Sequence, residues 1–282
     1  MIRPFKRFYS LVLIVTGLVA VAAAEARWKT IPFPPPMPVA SKSGFAPVNG
    51  IKMYYAIYGS GEPLLLIHSG LASSDIWSYQ IDELAKKYKV IVADTRGHGK
   101  TTRAGSYGYD LFAADYIALL DYLKIPKVAV VGSSDGGIIG LDMAMSHPER
   151  IAKLFAHAAN ATVEGLKQDV AQEQTVAGNI ERVSSGPTGL WDESSSYDKF
   201  VLAINRMWDR EPNWTHEQLA AIHVPTAIVL GDHDEAIRLD HTEYMAGAIP
   251  GAKLVILKGV GHAAMLQDPE AYTQAILTFL EE

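Results

Sequence analysis

Val130-Val131-Gly132-Ser133-Ser134-Asp135-Gly136-Gly137 is the stretch on which the reading of this chain turns. An apolar run with the look of a buried strand, Val128 to Val131, ends in small residues around a serine, and helical spacing starts at Ile138. Glycine stands two positions before and two after Ser134, which is the G-x-S-x-G spacing of a nucleophile elbow. The requirement is steric. A side chain held at the apex of a strand-to-helix turn needs glycine on both sides, so that strand and helix can pass closely. The apex also sets Ser134 at a helix N-terminus, where backbone N–H groups and the dipole favour a developing negative charge.

The register is testable on the residues themselves. Ser133 as apex would need glycine at position 135, which is aspartate. Asp135 as apex, flanked by Ser133 and Gly137, would move the turn one residue too far from a strand ending at Val131. Ser134 is therefore the predicted nucleophile. Two neighbouring patterns fail. Gly99-Lys100-Thr101 imitates the end of a P-loop, but Asp94 stands where its first glycine must be. Gly136 to Gly140 lacks dinucleotide spacing. No H-E-x-x-H run occurs, and neither a cofactor nor a metal is expected.

Outward from the elbow, short apolar runs alternate with helical spacing. Leu64 to Ile67, Val90 to Ala93, Val128 to Val131 and Ile151 to Ala158 read as strands. Asp75 to Lys86, Tyr109 to Leu123 and Ile138 to Met145 read as the helices between them. Thr226 to Leu230, Asp240 to Ala248, Lys253 to Leu257 and Pro269 to Leu280 repeat the rhythm, and Asn49-Gly50 marks a hairpin before it. This predicts an α/β fold with a mostly parallel central sheet and helices on both faces. Residues 161–222 carry helical stretches (Val163 to Val183, Tyr197 to Trp208, Thr215 to Ile222) and no convincing strand, so they are predicted to form a helical lid. Thr215 with Gln218 reads as a capping box. The predicted core is 45–160 and 223–282.

The 282 residues suit one domain with an insertion, and a net charge of −6 argues against a nucleic-acid partner. With no cysteine, disulfides and thiolate catalysis are excluded. Arg3, Lys6 and Arg7 precede an apolar run from Leu11 to Ala24, and Ala24-Glu25-Ala26 offers a small-x-small cleavage site. Residues 1–26 thus read as a signal peptide, placing the protein in the periplasm or outside the cell. The membrane would be met only through this segment if it stayed uncleaved. The segment holds three positive charges and one negative, so the remaining chain stands at −8. Residues 27–44, with Pro32-Phe33-Pro34-Pro35-Pro36, read as an extended tether rather than core.

From Asn49 to Leu280 the chain resembles the α/β-hydrolase superfamily. Besides the elbow, Ile67-His68-Ser69-Gly70-Leu71 with Trp77 resembles its H-G-x oxyanion segment. Asp94-Thr95-Arg96-Gly97-His98-Gly99 resembles its D-x-R-G-x-G loop. Val229 to Asp234 and Gly259-Val260-Gly261-His262 resemble its acid and histidine loops, in the order Ser…Asp…His that the fold uses. The resemblance implies that His262 takes the Ser134 proton, that Asp234 orients His262, and that the backbone N–H groups of Gly70 and Asp135 hold the oxyanion. Asp232 is the alternative acid. Asn160 sits at another position where some relatives carry the acid, and it cannot hold the charge. Ser69 departs from the family's usual glycine.

The implied activity is hydrolysis of a small to medium carboxylic ester or lactone through an acyl-serine, so the expected partner is a small molecule. C–C bond hydrolysis of a diketone or dienoate, and a slow-turnover ligand-binding receptor, are the alternatives. Perhydrolysis is a conceivable side reaction. Trp191, Tyr197, Phe200, Met207, Trp208 and Trp214 are candidate lid contacts. The oligomeric state is open.

Overall fold

A computed structural model describes residues 27–167 and 194–282. Eight strands form one sheet in the order β1-β2-β4-β3-β5-β6-β7-β8. They are β1 (Lys42–Val48), β2 (Ile51–Tyr58), β3 (Glu62–Ile67), β4 (Tyr88–Ala93), β5 (Val128–Ser133), β6 (Ile151–His157), β7 (Thr226–Gly231) and β8 (Lys253–Leu257). The first hairpin is antiparallel and turns on Asn49 (φ 41°) and Gly50 (φ 81°), as Asn-Gly predicts. β2 also runs antiparallel to β4; from β3 to β8 every pairing is parallel.

The continuous apolar runs follow from burial on both faces. Successive residues of a strand point to opposite sides. Leu65, Ile67 and Ile91 accordingly join a core with α2 (Tyr109–Tyr122), α3 (Asp135–Ser146) and α6 (Leu239–Ala248). Leu64, Leu66, Val90 and Val92 join a second core with α1 (Ser78–Leu84), α7 (Ala264–Gln267) and α8 (Pro269–Glu281), where Trp77 and Tyr272 are fully buried. Between β6 and β7 the described residues add no strand to the sheet, but a short turn at Val163–Gly165 and the helices α4 (Ser194–Trp208) and α5 (His216–Ala220). The capping box of α5 is present: Thr215 Oγ1 accepts the Gln218 N–H, and Gln218 Oε1 accepts the Thr215 N–H.

Two expectations need correction. The helix expected from Val163 begins instead as a short 3-10 turn, Val163–Gly165, followed by extended backbone at Leu166 that bridges to Ile237; its remainder lies outside the described residues. Residues 27–44 do not stand off the core. Proline keeps them extended, but the apolar residues spaced among the prolines pack: Ile31, Met37 and Ala40 lie against the second core, and β1 already begins at Lys42. The predicted signal segment, 1–26, lies outside the described residues. Among those that are described, no helix is long and apolar enough to cross a membrane.

Candidate active site

Ser134 occupies the turn between β5 and α3 with φ 54° and ψ −119°. This left-handed conformation costs a serine on the order of 1–3 kcal/mol, so the surroundings must impose it. They do. The Ser134 N–H is held by His157 O at 2.8 Å. A Cβ on Gly132 would stand 2.1 Å from Gly136 O, and one on Gly136 would stand 2.1 Å from Ile67 O. The two glycines are thus required by backbone approach. Ser133, by contrast, is fully buried, accepting a hydrogen bond from Ser69 Oγ and sharing one with His157 Nδ1, both 3.2 Å. Burial pushes the His157 imidazole down to about 3, so it stays neutral.

The strand ends bring the other predicted residues to the same edge of the sheet. Asp234 follows β7 and His262 follows β8. His262 Nδ1 donates to both Asp234 oxygens, at 3.1 and 3.0 Å, which fixes Nε2 as the unprotonated nitrogen of the neutral ring. Asp234 is 2% exposed, and its Oδ1 also accepts the N–H groups of Ala236 and Ile237, both 2.8 Å. Burial would raise the Asp234 carboxyl, but the His262 charge and these donors outweigh it and hold the carboxyl below its usual value. Burial would likewise lower His262, yet the facing Asp234 carboxylate drives it up to about 9. Asp232 is turned away, accepting the Gly259 N–H at 2.8 Å near Lys258.

Ser134, His262, Gly70 and Asp135 line one cavity, with apolar walls from Ile31, Ile76, Leu166, Trp208, Ile237, Met265 and neighbours. Among the described residues, neither Ser134 Oγ nor His262 Nε2 has a hydrogen-bond partner. Such bonds commonly close only when substrate arrives. No backbone hydrogen bond from the N–H of Gly70 or Asp135 occurs among the described residues, and both residues line the cavity with Ser134.

Several contacts of the site escaped the sequence reading. The Asp135 side chain is 5% exposed and its Oδ1 accepts Tyr109 Oη–H at 2.8 Å and Trp208 Nε1–H at 3.0 Å. Burial raises this carboxyl to about 6 against the pull of those donors. Glu211 Oε2 takes the Tyr109 N–H at 3.1 Å, supplying the acceptor that Gly108 cannot at the start of α2. Two further side chains grip the histidine loop. Glu235 Oε2 accepts the His262 N–H at 3.0 Å, and Gln267 Oε1 accepts the Gly261 N–H at 2.6 Å. Glu235 could have been suspected from its place beside the acid; nothing in the sequence marks Gln267.

Other predicted motif residues hold loops. His68 Nε2 accepts the Thr95 N–H at 2.9 Å while Nδ1 donates to Ser69 O, tying the ends of β3 and β4 together. His98 is buried, pushed down to about 3 by desolvation, and packs edge-on against Phe200. Asp94 accepts the N–H groups of Ser74 and Lys100. Arg96 forms a buried ion pair with Asp115 at 2.7 Å. Asn160 lines the cavity and donates to Thr162 O. Of the aromatic and methionine candidates, Trp208 lines the cavity; Phe200 and Met207 are buried in the first core, and Tyr197 and Trp214 pack against it. Trp191 lies outside the described residues. No cluster of metal-ligating side chains occurs among the described residues.

Comparison with known proteins bears on the fold and the family. Residues 62–199 match the family model described as alpha/beta hydrolase fold, and residues 197–282 match one described as TAP-like protein. A 3-oxoadipate enol-lactonase 2 of Acinetobacter baylyi is 25% identical over 263 residues, 85% of this chain and 97% of that protein. A 2-hydroxy-6-oxo-6-(2'-aminophenyl)hexa-2,4-dienoic acid hydrolase of Metapseudomonas resinovorans is 26% identical over 262 residues, 84% of this chain and 90% of that protein. In fold, the crystal structure of an enol-lactonase from Burkholderia xenovorans superposes with a TM-score of 0.70 at 24% identity, covering 84% of this chain and all of that one. With its eight-stranded, mostly parallel sheet and family-model matches that together run from residue 62 to 282, the chain belongs to the α/β-hydrolase superfamily and is a hydrolase on that fold.

Proposed function

We propose that the chain is a serine hydrolase that cleaves a small to medium carboxylic ester or lactone. The observation that carries the reading is the cavity itself. A strained serine at a helix N-terminus shares it with a histidine whose far nitrogen is clasped by a buried aspartate. In this reading Ser134 Oγ attacks the carbonyl carbon as its proton passes to His262 Nε2. The carbonyl oxygen gains the negative charge and is met by the Gly70 and Asp135 N–H groups. Collapse breaks the bond to the leaving alcohol, which takes the proton from His262. Water, deprotonated by the same nitrogen, then attacks the acyl-serine, releasing the acid and restoring the Ser134 hydroxyl. Asp234 stays ionised throughout and stabilises the imidazolium between these steps.

The lining favours the ester or lactone reading over C–C hydrolysis of a dienoate. Among the described lining residues the charged side chains other than His262 are Asp135, Glu211 and Glu235, and no lysine or arginine is present to receive a substrate carboxylate. The test is mass spectrometry after fluorophosphonate treatment. A single adduct on Ser134 is expected, with turnover of p-nitrophenyl esters. An unlabelled but folded protein would sink the reading and favour a binding role.

A further inference from the structure

The beginning of the described chain touches the site at three points. Ile31 forms part of the cavity wall. Trp28 stacks on His233, with ring centroids 4.7 Å apart and planes 9° from parallel, in the loop that carries Asp234. Gln267 donates from Nε2 to Trp28 O and Thr30 O, at 3.1 and 3.2 Å, while its Oε1 holds the Gly261 N–H next to His262. Arg27 adds an exposed ion pair with Asp268, the residue that caps α8.

A single buried amide therefore spans two segments that are far apart in sequence. It is 7% exposed, and it satisfies two backbone carbonyls of one segment and the N–H beside the histidine of the other. Gly261 leaves little slack there: a Cβ on it would stand 2.6 Å from Glu235 Oε2 and 3.2 Å from His233 O. His233 in turn donates its N–H to Val260 O at 3.0 Å, closing the link from Trp28 through His233 to the histidine loop. Position of the base relative to the nucleophile is where small displacements cost most.

We propose that residues 27–31 form a strap that completes the active site, with Gln267 as the positioning residue coupling it to His262 and Ile31 as a specificity wall. The proposal rests on the serine-hydrolase reading above. Its substrate consequence is direct. The strap bounds the cavity, so the bulk at position 31 sets how long an apolar group the cavity accepts.

The experiment compares the full chain with Trp28→Ala, Gln267→Leu, the double variant, Ile31→Ala and Ile31→Phe, on p-nitrophenyl esters of increasing acyl length. Trp28→Ala and Gln267→Leu should each lower kcat on the order of tenfold with KM within about twofold. The double variant should be little worse than the weaker single one, because both cut the same link. Their pH profiles should move toward an ordinary histidine, as His262 loosens from Asp234. Ile31→Phe should shift preference to shorter esters and Ile31→Ala to longer ones. Unchanged kcat, pH profile and chain-length preference in variants that unfold cooperatively in urea would overturn the strap. Should Gln267→Leu fail to fold, Trp28→Ala and the Ile31 pair decide it. A wild-type chain that never reacts with fluorophosphonate would instead defeat the underlying reading.

Discussion

The Asp135 carboxylate and the Trp208 indole meet across Gly70: Trp208 Nε1 lies 3.0 and 3.1 Å from the two Asp135 oxygens, and a Cβ on Gly70 would strike both side chains. The residue that follows the nucleophile is thus anchored to the last residue of α4, so the backbone N–H beside Ser134 depends on a contact from outside the sheet.

That anchor carries a charge the protein buries at a cost. With its carboxyl raised to about 6, Asp135 favours the folded state when protonated. Its contribution is present below the unfolded value and lost as pH rises through about 6. Asparagine keeps Oδ1, which accepts Tyr109 and the shorter Trp208 contact, though its amide nitrogen would replace the Oδ2 that lies 3.1 Å from the indole nitrogen. Asp135→Asn should therefore raise unfolding stability by about 1–3 kcal/mol at pH 8 and by little at pH 4, as read by urea titration at both values.

The proposed reaction implies an alkaline profile. In it His262 must be neutral to accept the Ser134 proton, and Asp234 holds its pKa up to about 9. Ester turnover should fall as pH drops through that region, with an apparent pKa well above 6.5. The sign for stability is opposite: the raised histidine stabilises the fold below its unfolded value, and this is lost as pH rises past the folded one. Asp234→Asn should lower kcat on the order of 10⁴-fold and bring any residual activity to a lower pKa. A profile centred on an ordinary histidine in the wild type would contradict the pairing.

Ser134 stores strain that its removal should release. Ser134→Ala keeps the φ of 54° and its cost, whereas Ser134→Gly accepts that conformation freely. Both variants should be inactive, yet glycine should unfold about 1 kcal/mol later than alanine in urea, less the entropy glycine loses on folding. Equal midpoints would show that the turn is relaxed.

The elbow glycines should tolerate nothing larger. Gly136→Ala would drive a methyl to 2.1 Å from Ile67 O, which is backbone of a central strand and cannot swing aside. Separation of β3 from α3 by about 1 Å would follow, and a loss of about 3 kcal/mol or more is expected in thermal or urea unfolding.

Much of this architecture could be read from the chain because backbone requirements write themselves as residue type. Leu64 to Ile67, Val90 to Ala93 and Val128 to Val131 read as parallel strands from their unbroken apolar runs, and the Asn49-Gly50 hairpin from its turn residues. Ser134 was legible because Gly132 and Gly136 have no substitute. What stayed hidden depends on side chains meeting over long separations. Gln267 reaches Trp28 across 239 positions, and Trp208 reaches Asp135 across 73. No local period encodes such contacts. The proline-rich segment misled for a related reason: composition reports that residues 32–38 stay extended, not what Ile31 and Met37 lie against.

The carboxylates among the lining residues also bear on how a reaction cycle would end. Ester cleavage turns a neutral substrate into a carboxylate, born beside Ser134 among Asp135, Glu211 and Glu235, with no lysine or arginine among the described lining residues to retain it. Like charges in a poorly screened hollow repel. In the proposed reaction these carboxylates oppose retention of the acid while the His262 imidazolium, held up to about 9, favours it, so release of the acid should quicken as pH rises and His262 loses its charge.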